Sequence, residues 1–250
     1  MPFFNKIRKN EIKTDGMKRY LLYAVGEIVL VVAGILIALQ LNDWDMHKAS
    51  EIRELHYLKA IRLDLQMDLK RLAELEAFRI AKKQGNTEIL HHLEGEPIYD
   101  LTRLTKLVIQ SLKEQTFTPN NNTYLEMVSS GNLNVIQSDS VRLLLLDLEG
   151  LNKTNRFYIE HETFDYREYI SKPAFNELHI SKMFPVFTGE KTANQQRITK
   201  SDFDHVFSSQ AYKNGILVNT ITGQTVIELY RNIATKSRLL IKLIENQITQ

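Results

Sequence analysis

Histidines paired with carboxylates, or with each other, are the groups in this sequence best suited to hold a metal or move a proton, and they occur at three points. His91 adjoins His92, His161 lies between Glu160 and Glu162, and His205 follows Asp202 and Asp204. Imidazole and carboxylate suit zinc or iron. None of the three sets has the i, i+4 spacing that turns two ligands onto one helix face, and a solvated face or a helix cap accounts for each. No metal centre and no cofactor is expected. The Walker, dinucleotide, nucleophile-elbow and zinc-protease signatures are all absent, so an enzyme is the minor reading. If there is one, its site would lie inside a helical bundle and draw on His161, Glu162 and Asp165.

The remaining residue of chemical interest is Glu27, because of where it stands. The run LLYAVGEIVLVVAGILIALQL, residues 21–41, holds Glu27 and Gln40 as its only strongly polar side chains. At about 1.5 Å per residue it spans a hydrocarbon core of about 30 Å. Its thirteen Leu, Ile and Val favour insertion by about 6 kcal/mol, against about 3 kcal/mol for one central acidic residue. A cleaved signal peptide fits less well, since the run is long and no A-x-A-like site closes it. Lys6, Arg8, Lys9, Lys13, Lys18 and Arg19 precede the run and few basic residues follow it directly, which keeps the N-terminus in the cytoplasm. Tyr20 and Tyr23 suit one membrane interface and Trp44 the other.

Glu27, Val31, Gly34, Ala38 and Leu41 repeat at steps of four and three, so they share a face on which Gly34 and Ala38 form a small-xxx-small pair. That face suits contact with a second copy or with another membrane protein. Glu27 itself has two readings: a group that couples proton or ion movement or meets a basic residue of a partner, or an interhelical hydrogen bond or snorkelling side chain.

The elements outside the run read as helices. Leu55, Leu58, Ile61, Leu65, Leu69, Leu72 and Leu75 mark an amphipathic stalk. Gly85 and Asn86 offer a break, and a helix is expected from about Leu101 to Gln115. Thr123 and Glu126 have capping-box spacing, and Gly131 suits a left-handed helix stop. Ser138 or Asp139 can cap a helix reaching about Ile170 before Pro173, with its aromatics in the core. Residues 172–200 read as an irregular connection. Ile216, Thr220, Ile227, Tyr230, Ala234, Ile241, Ile244 and Ile248 trace a coiled-coil-like heptad seam completed by Gly223 and Ser237. The expected fold is all-α: a basic tail over 1–20, a transmembrane helix over 21–41, and a domain over 42–250 in which a stalk leads into an up-and-down bundle.

Composition narrows function by exclusion. With 32 basic and 30 acidic residues the chain has no global field to draw it onto nucleic acid. Having no cysteine, it has neither thiol chemistry nor disulfides. The sequons at Asn121 and Asn152 matter only in a glycosylating host.

The opening FFNKIRKNEIKTDGMKRYLLYAVGEIVLVVAGILIALQLNDW resembles the N-terminus of a family of uncharacterised single-pass bacterial membrane proteins, and TYLEMVSSGNLNVI is similar to that family's second recurring stretch. The resemblance marks Gly26, Glu27, Gly34, Gln40, Asn42 and Trp44, with Ser130, Gly131 and Asn132, as motif positions without assigning them roles. It implies an inner-membrane protein of unknown function; the basic residues before the run place the bulk of the chain in the periplasm, and helices and heptads without catalytic motifs favour an interaction, sensing or scaffold module of the cell envelope.

Overall fold

The computed structural model describes residues 16–189 and 197–249. The basic tail at Lys6 to Lys13 and the segment 190–196 lie outside the described residues. Every regular element among them is helical, and the chain divides into two compact units, Met1–His56 and Tyr57–Gln250.

The first unit holds the beginning of helix α1, Gly16–Leu93. Its Leu, Ile and Val side chains from Leu21 to Leu41 are about half exposed or more on every side of the helix. This is one helix long and apolar enough to cross a membrane, and none of its apolar stretch is buried within the chain.

The second unit is a bundle of four legs whose directions follow from the pairs between them. Glu88–Arg103, Lys82–Glu114, Asp68–Asn120 and Asp64–Thr123 show residues 101–129 running back along α1. This leg is built from α2, Leu101–Ser111, an extended stretch, and α3, Asn122–Ser129. The third leg is α4, Asp139–Asp165, and the fourth is α8, Gln210–Ile248. Pairs Glu76–Arg231 and Asn86–Asn219 make α8 antiparallel to α1, while Asp147–Lys236 and Glu162–Asn219 make it antiparallel to α4. Between α4 and α8 come a π-helical segment, Tyr166–Ser171, and the short helices α5, Lys172–Glu177, α6, Ile180–Thr188, and α7, Ser201–Ser208.

Local chemistry explains most element ends. Asp100 and Ser138 accept the Arg103 and Val141 amides and start α2 and α4. Gly131, at φ 71°, takes the left-handed conformation expected where α3 stops. Gly223 and Ser237 are buried in the α8 seam beside Ile216, Ile227, Tyr230, Ala234 and Ile244.

Several expectations need correction. No break occurs at Gly85 and Asn86: Asn86 is buried against Asn219, and Leu107 packs so close to Gly85 that a Cβ there would lie 3.1 Å from it. Helix α2 ends at Ser111: the Leu112 and Lys113 amides still bond to its last carbonyls, but the Leu112 and Lys113 carbonyls accept from side chains of other elements instead of continuing the helix. Thr123 makes no capping box; its hydroxyl donates to the Asp64 carboxyl at 2.7 Å, an acceptor outside its own helix. Pro173 stops nothing: helical backbone runs without a break from α4 through the π-helical segment into α5, with the wider π turn directly before the proline. Residues 172–189, expected to be irregular, are mostly α5 and α6.

The aromatics of α4 are not uniformly core. Phe157 and Phe164 are exposed, with Leu143 and Leu146, on the face opposite Val141, Leu145, Leu148, Asn155 and Glu162, and Tyr169 in the π segment is exposed as well. Hydrophobic type alone does not decide burial; the 3.6-residue period does.

Candidate functional site

Two apolar clusters fill the bundle. One gathers Leu58, Ile61, Leu72, Leu75, Met127, Val141 and Tyr230; the other gathers Ile89, Leu104, Val108, Ile170, Phe203 and Ile216. On α1 the core-facing positions run Leu72, Leu75, Arg79, Lys82, Asn86, Ile89, so the stripe that supplies both clusters turns polar for three positions in between. Arg79, Lys82 and Asn86 are each at least nine-tenths buried. Burying such groups costs several kcal/mol unless each finds partners.

The partners come from every other leg. The Arg79 guanidinium donates two bonds to Glu162 of α4, at 2.9 and 2.8 Å, a fork that matches the carboxylate. The same guanidinium lies 5.3 Å from the centre of the Tyr230 ring. Burial pulls the Arg79 pKa down, but the hydrogen bonds and charge of Glu162 outweigh that and hold it above the ordinary arginine value. Asn219 of α8 donates to Glu162 at 3.3 Å and accepts from Asn86 at 2.9 Å. Lys82 pairs with Glu114 and lies 5.4 Å from the centre of the Tyr166 ring. Burial raises the Glu114 carboxyl, and Lys82 opposes that rise. The four charges balance, two against two.

This layer also solves a backbone problem. In the second leg, Thr116, Phe117 and Thr118 precede Pro119, and both β-branching and a following proline favour extended chain over helix. Extended chain inside a helical bundle has no ladder to join, so its N–H and C=O groups need side chains. Tyr166 donates to the Leu112 carbonyl at 2.7 Å and Lys82 to the Lys113 carbonyl at 2.9 Å. The Phe117 amide donates to the Tyr230 hydroxyl at 3.2 Å, and Asn155 donates to the Phe117 carbonyl at 3.0 Å. The Asn120 amide donates to Asp68 at 2.9 Å. The polar side chains of α1, α4 and α8 therefore bind the extended leg as a peptide is bound, at its backbone.

The residues singled out from the sequence fall elsewhere, with one exception. Glu162 is in the layer, but its carboxylate is committed to Arg79, while His161 is exposed and packs on Phe157 with ring centroids 4.3 Å apart. No enzyme-like cluster of His161, Glu162 and Asp165 forms. His91 approaches Glu96 at 3.7 Å, and His92 is 3.2 Å from the Glu96 carbonyl. Asp202 is held by Lys182 at 2.7 Å and by the Thr199 amide at 2.8 Å, which lower its pKa to about 2, so it is not turned toward His205. Gly26, Glu27, Gly34, Ala38 and Gln40 are exposed in the first unit, and a Cβ at Gly26 or Gly34 would meet nothing within 4 Å. Asn42 donates to Met46 at 3.5 Å, and Lys48 lies 5.0 Å from the centre of the Trp44 ring.

The second motif is a turn clasp. Ser130 donates to the Glu126 carbonyl at 2.7 Å, and Asn132 donates to Ser130 at 2.8 Å and to the Tyr57 hydroxyl at 3.3 Å. With Gly131 between them, these residues close α3 and tie it to α1. The 3/4 periodicity of Leu72 and Leu75 continuing through Arg79, Lys82 and Asn86 was the signal that could have revealed the buried layer in the sequence.

No curated protein and no solved structure matches this chain. A match over residues 27–214 takes in most of the apolar run, the second motif and, of the buried layer, Arg79, Lys82, Asn86, Glu114 and Glu162, ending before Asn219 and Tyr230, and by that match the chain belongs to the family of unknown function DUF6090.

Proposed function

We propose that the chain is a single-pass protein of a bacterial inner membrane, with its N-terminus cytoplasmic and the bulk of the chain periplasmic, and that it is a non-enzymatic interaction, sensing or scaffold module of the cell envelope. The observation that carries this reading is the apolar face-all-round helix of residues 21–41: it buries nothing within the chain, while the second unit is complete with its own core. The buried charges of the bundle support the non-enzymatic part, since Arg79, Lys82, Glu114 and Glu162 are spent on one another and on the extended leg.

Membrane topology is testable without background because the chain has no cysteine. Tyr99 is 92% exposed in the second unit and takes a cysteine without loss of packing. Tyr99→Cys should react with a membrane-impermeant maleimide on intact spheroplasts, and Lys6→Cys only after lysis. The opposite pattern, or recovery of the protein in the soluble fraction, overturns the reading.

A second reading rests on Glu27, an exposed carboxyl among apolar residues with no partner among the described residues. In it, Glu27 with Gly34 and Ala38 forms the contact to a proton- or ion-coupled membrane partner. Glu27→Gln should then abolish complementation of a deletion strain at unchanged abundance; full complementation removes this reading.

A further inference from the structure

Away from the Arg79 layer, a partly open cavity of about 40 Å³ lies where α1, the extended leg, α4 and α8 meet. One water needs about 10–15 Å³ of such space, so it holds a group of a few heavy atoms. Its walls carry Asp64 and Asp68, one helical turn apart on α1, with Asn152 from α4 and Ser237 from α8.

Two independent features mark these walls. The first is charge. Asp64 accepts from Thr123 and Asp68 from Asn120, all neutral donors, and neither carboxylate has an ion-pair partner among the described residues. The third carboxylate, Glu149, is already paired with Arg156 at 3.0 Å. The second is unmet hydrogen bonding. Asn152 and Ser237 are 7% and 1% exposed, and the Asn152 Oδ1 and Ser237 Oγ atoms have no partner among the described residues. Buried atoms of this kind also occur away from the cavity, at Arg79 and Asn155 for example, but among the described residues Asn152 and Ser237 are the two that line it, where an unmatched acceptor can meet a ligand or water. Acceptors come from α1, α4 and α8, while the extended leg contributes the Asn120 and Asn121 donors already bonded to Asp68 and Glu149, and the formal charge of the walls is negative.

We propose that this cavity binds a primary ammonium group, its N–H bonds directed to Asp68, Asn152 and Ser237 and its charge balanced by Asp64 and Asp68. An ammonium has three donors and no acceptor, which fits a wall of carboxylate, amide oxygen and hydroxyl oxygen; neutral water would leave both carboxylates uncompensated. Burial also raises the Asp68 pKa against the hydrogen bonds from Asn120, and a bound cation relieves that desolvation. The alkyl arm leaves through the open side, so the ammonium can belong to a small free amine or to a lysine side chain.

The test uses the full chain in detergent micelles, titrated calorimetrically at constant ionic strength with methylammonium, tetramethylammonium, potassium, and N-acetyl-lysine methylamide. Saturable methylammonium binding is expected, with no binding of tetramethylammonium, which has the charge but no N–H. Asp68→Asn should weaken methylammonium at least tenfold. Ser237→Ala should weaken it several-fold while leaving the thermal midpoint unchanged or higher, because it removes a hydroxyl that has no internal partner, so a folding defect cannot mimic the result. Tighter binding of the lysine derivative assigns the site to a peptide side chain, and equal or weaker binding assigns it to a free amine. Absence of methylammonium binding, equal binding of tetramethylammonium, binding of potassium alone, or indifference to both substitutions overturns the proposal.

Discussion

Changing Glu162 to Gln keeps the volume of the side chain and one carbonyl oxygen but leaves the Arg79 guanidinium charged, buried and without its counterion. Arg79 and Glu162 are 5% and 4% exposed, so solvent cannot replace the lost charge. Removing one partner of such a pair costs about 3–5 kcal/mol, out of about 5–15 kcal/mol for a whole domain. With an m-value of about 2 kcal/mol/M in urea, a loss of about 4 kcal/mol lowers the midpoint by about 2 M. Arg79→Met alone should cost a similar amount, now by stranding Glu162. The double substitution Arg79→Met with Glu162→Leu removes both charges together and should lie within about 1–2 kcal/mol of the wild type, because an apolar pair of like volume often equals a buried ion pair. The small remaining loss is the 3.3 Å bond from Asn219. Urea denaturation followed by circular dichroism on the full chain gives all four corners of the cycle. A double variant as unstable as the sum of the two singles would refute the claim that Arg79 and Glu162 act as one unit.

Three other perturbations probe separate contacts. Gly215→Ala should destabilise by about 1–3 kcal/mol, since the added Cβ would lie 2.7 Å from the Tyr169 carbonyl oxygen, whereas Gly34→Ala, with nothing within 4 Å, should leave the urea midpoint unchanged. Tyr230→Phe should cost about 1–3 kcal/mol by orphaning the buried Phe117 amide, measurable by the same denaturation. Asp202 has its pKa lowered from 3.8 to about 2, by Lys182 first and then Thr199, so its contribution is fully present above pH 4 and disappears as pH falls through about 2. The acid limb of a stability–pH profile should therefore flatten in Asp202→Asn.

Helix faces were legible in the sequence wherever apolar residues marked them. Leu58, Ile61, Leu65, Leu72 and Leu75 on α1 and Ile216, Ile227, Tyr230, Ala234 and Ile244 of the α8 seam are buried as their spacing requires, with the small members Gly223 and Ser237, while Thr220 and Ile241 are only partly covered. Gly131 and Ser138 announced their turn and cap because each acts on its own neighbours. The layer was hidden because Arg79, Lys82, Asn86 and Asn219 are of types that normally face water; only the partners contributed by distant legs make their burial tolerable, and those pairings span 31 to 133 residues of sequence. Gly85 was misread for the same reason: as a breaker its effect is local, but here the neighbouring Leu107 side chain decides its role. The exposure of Phe157 and Phe164 was missed by weighing residue type above helical phase.

The extended second leg has a consequence for the order of assembly. Helices can form early from local contacts, but residues 114–120 make no local backbone bond among the described residues; the bonds of the leg reach Asn155, Tyr230 and Asp68, and that of the preceding Leu112 carbonyl reaches Tyr166, up to 113 positions away. Closing loops of that length costs entropy before any bond is returned. The leg therefore locks last, after α1, α4 and α8 have met, and its Phe117 amide cannot exchange with solvent until Tyr230 withdraws. Deuterium uptake at that one non-helical position should follow global unfolding rather than local fraying, making an irregular stretch of chain among the slowest-exchanging in the protein.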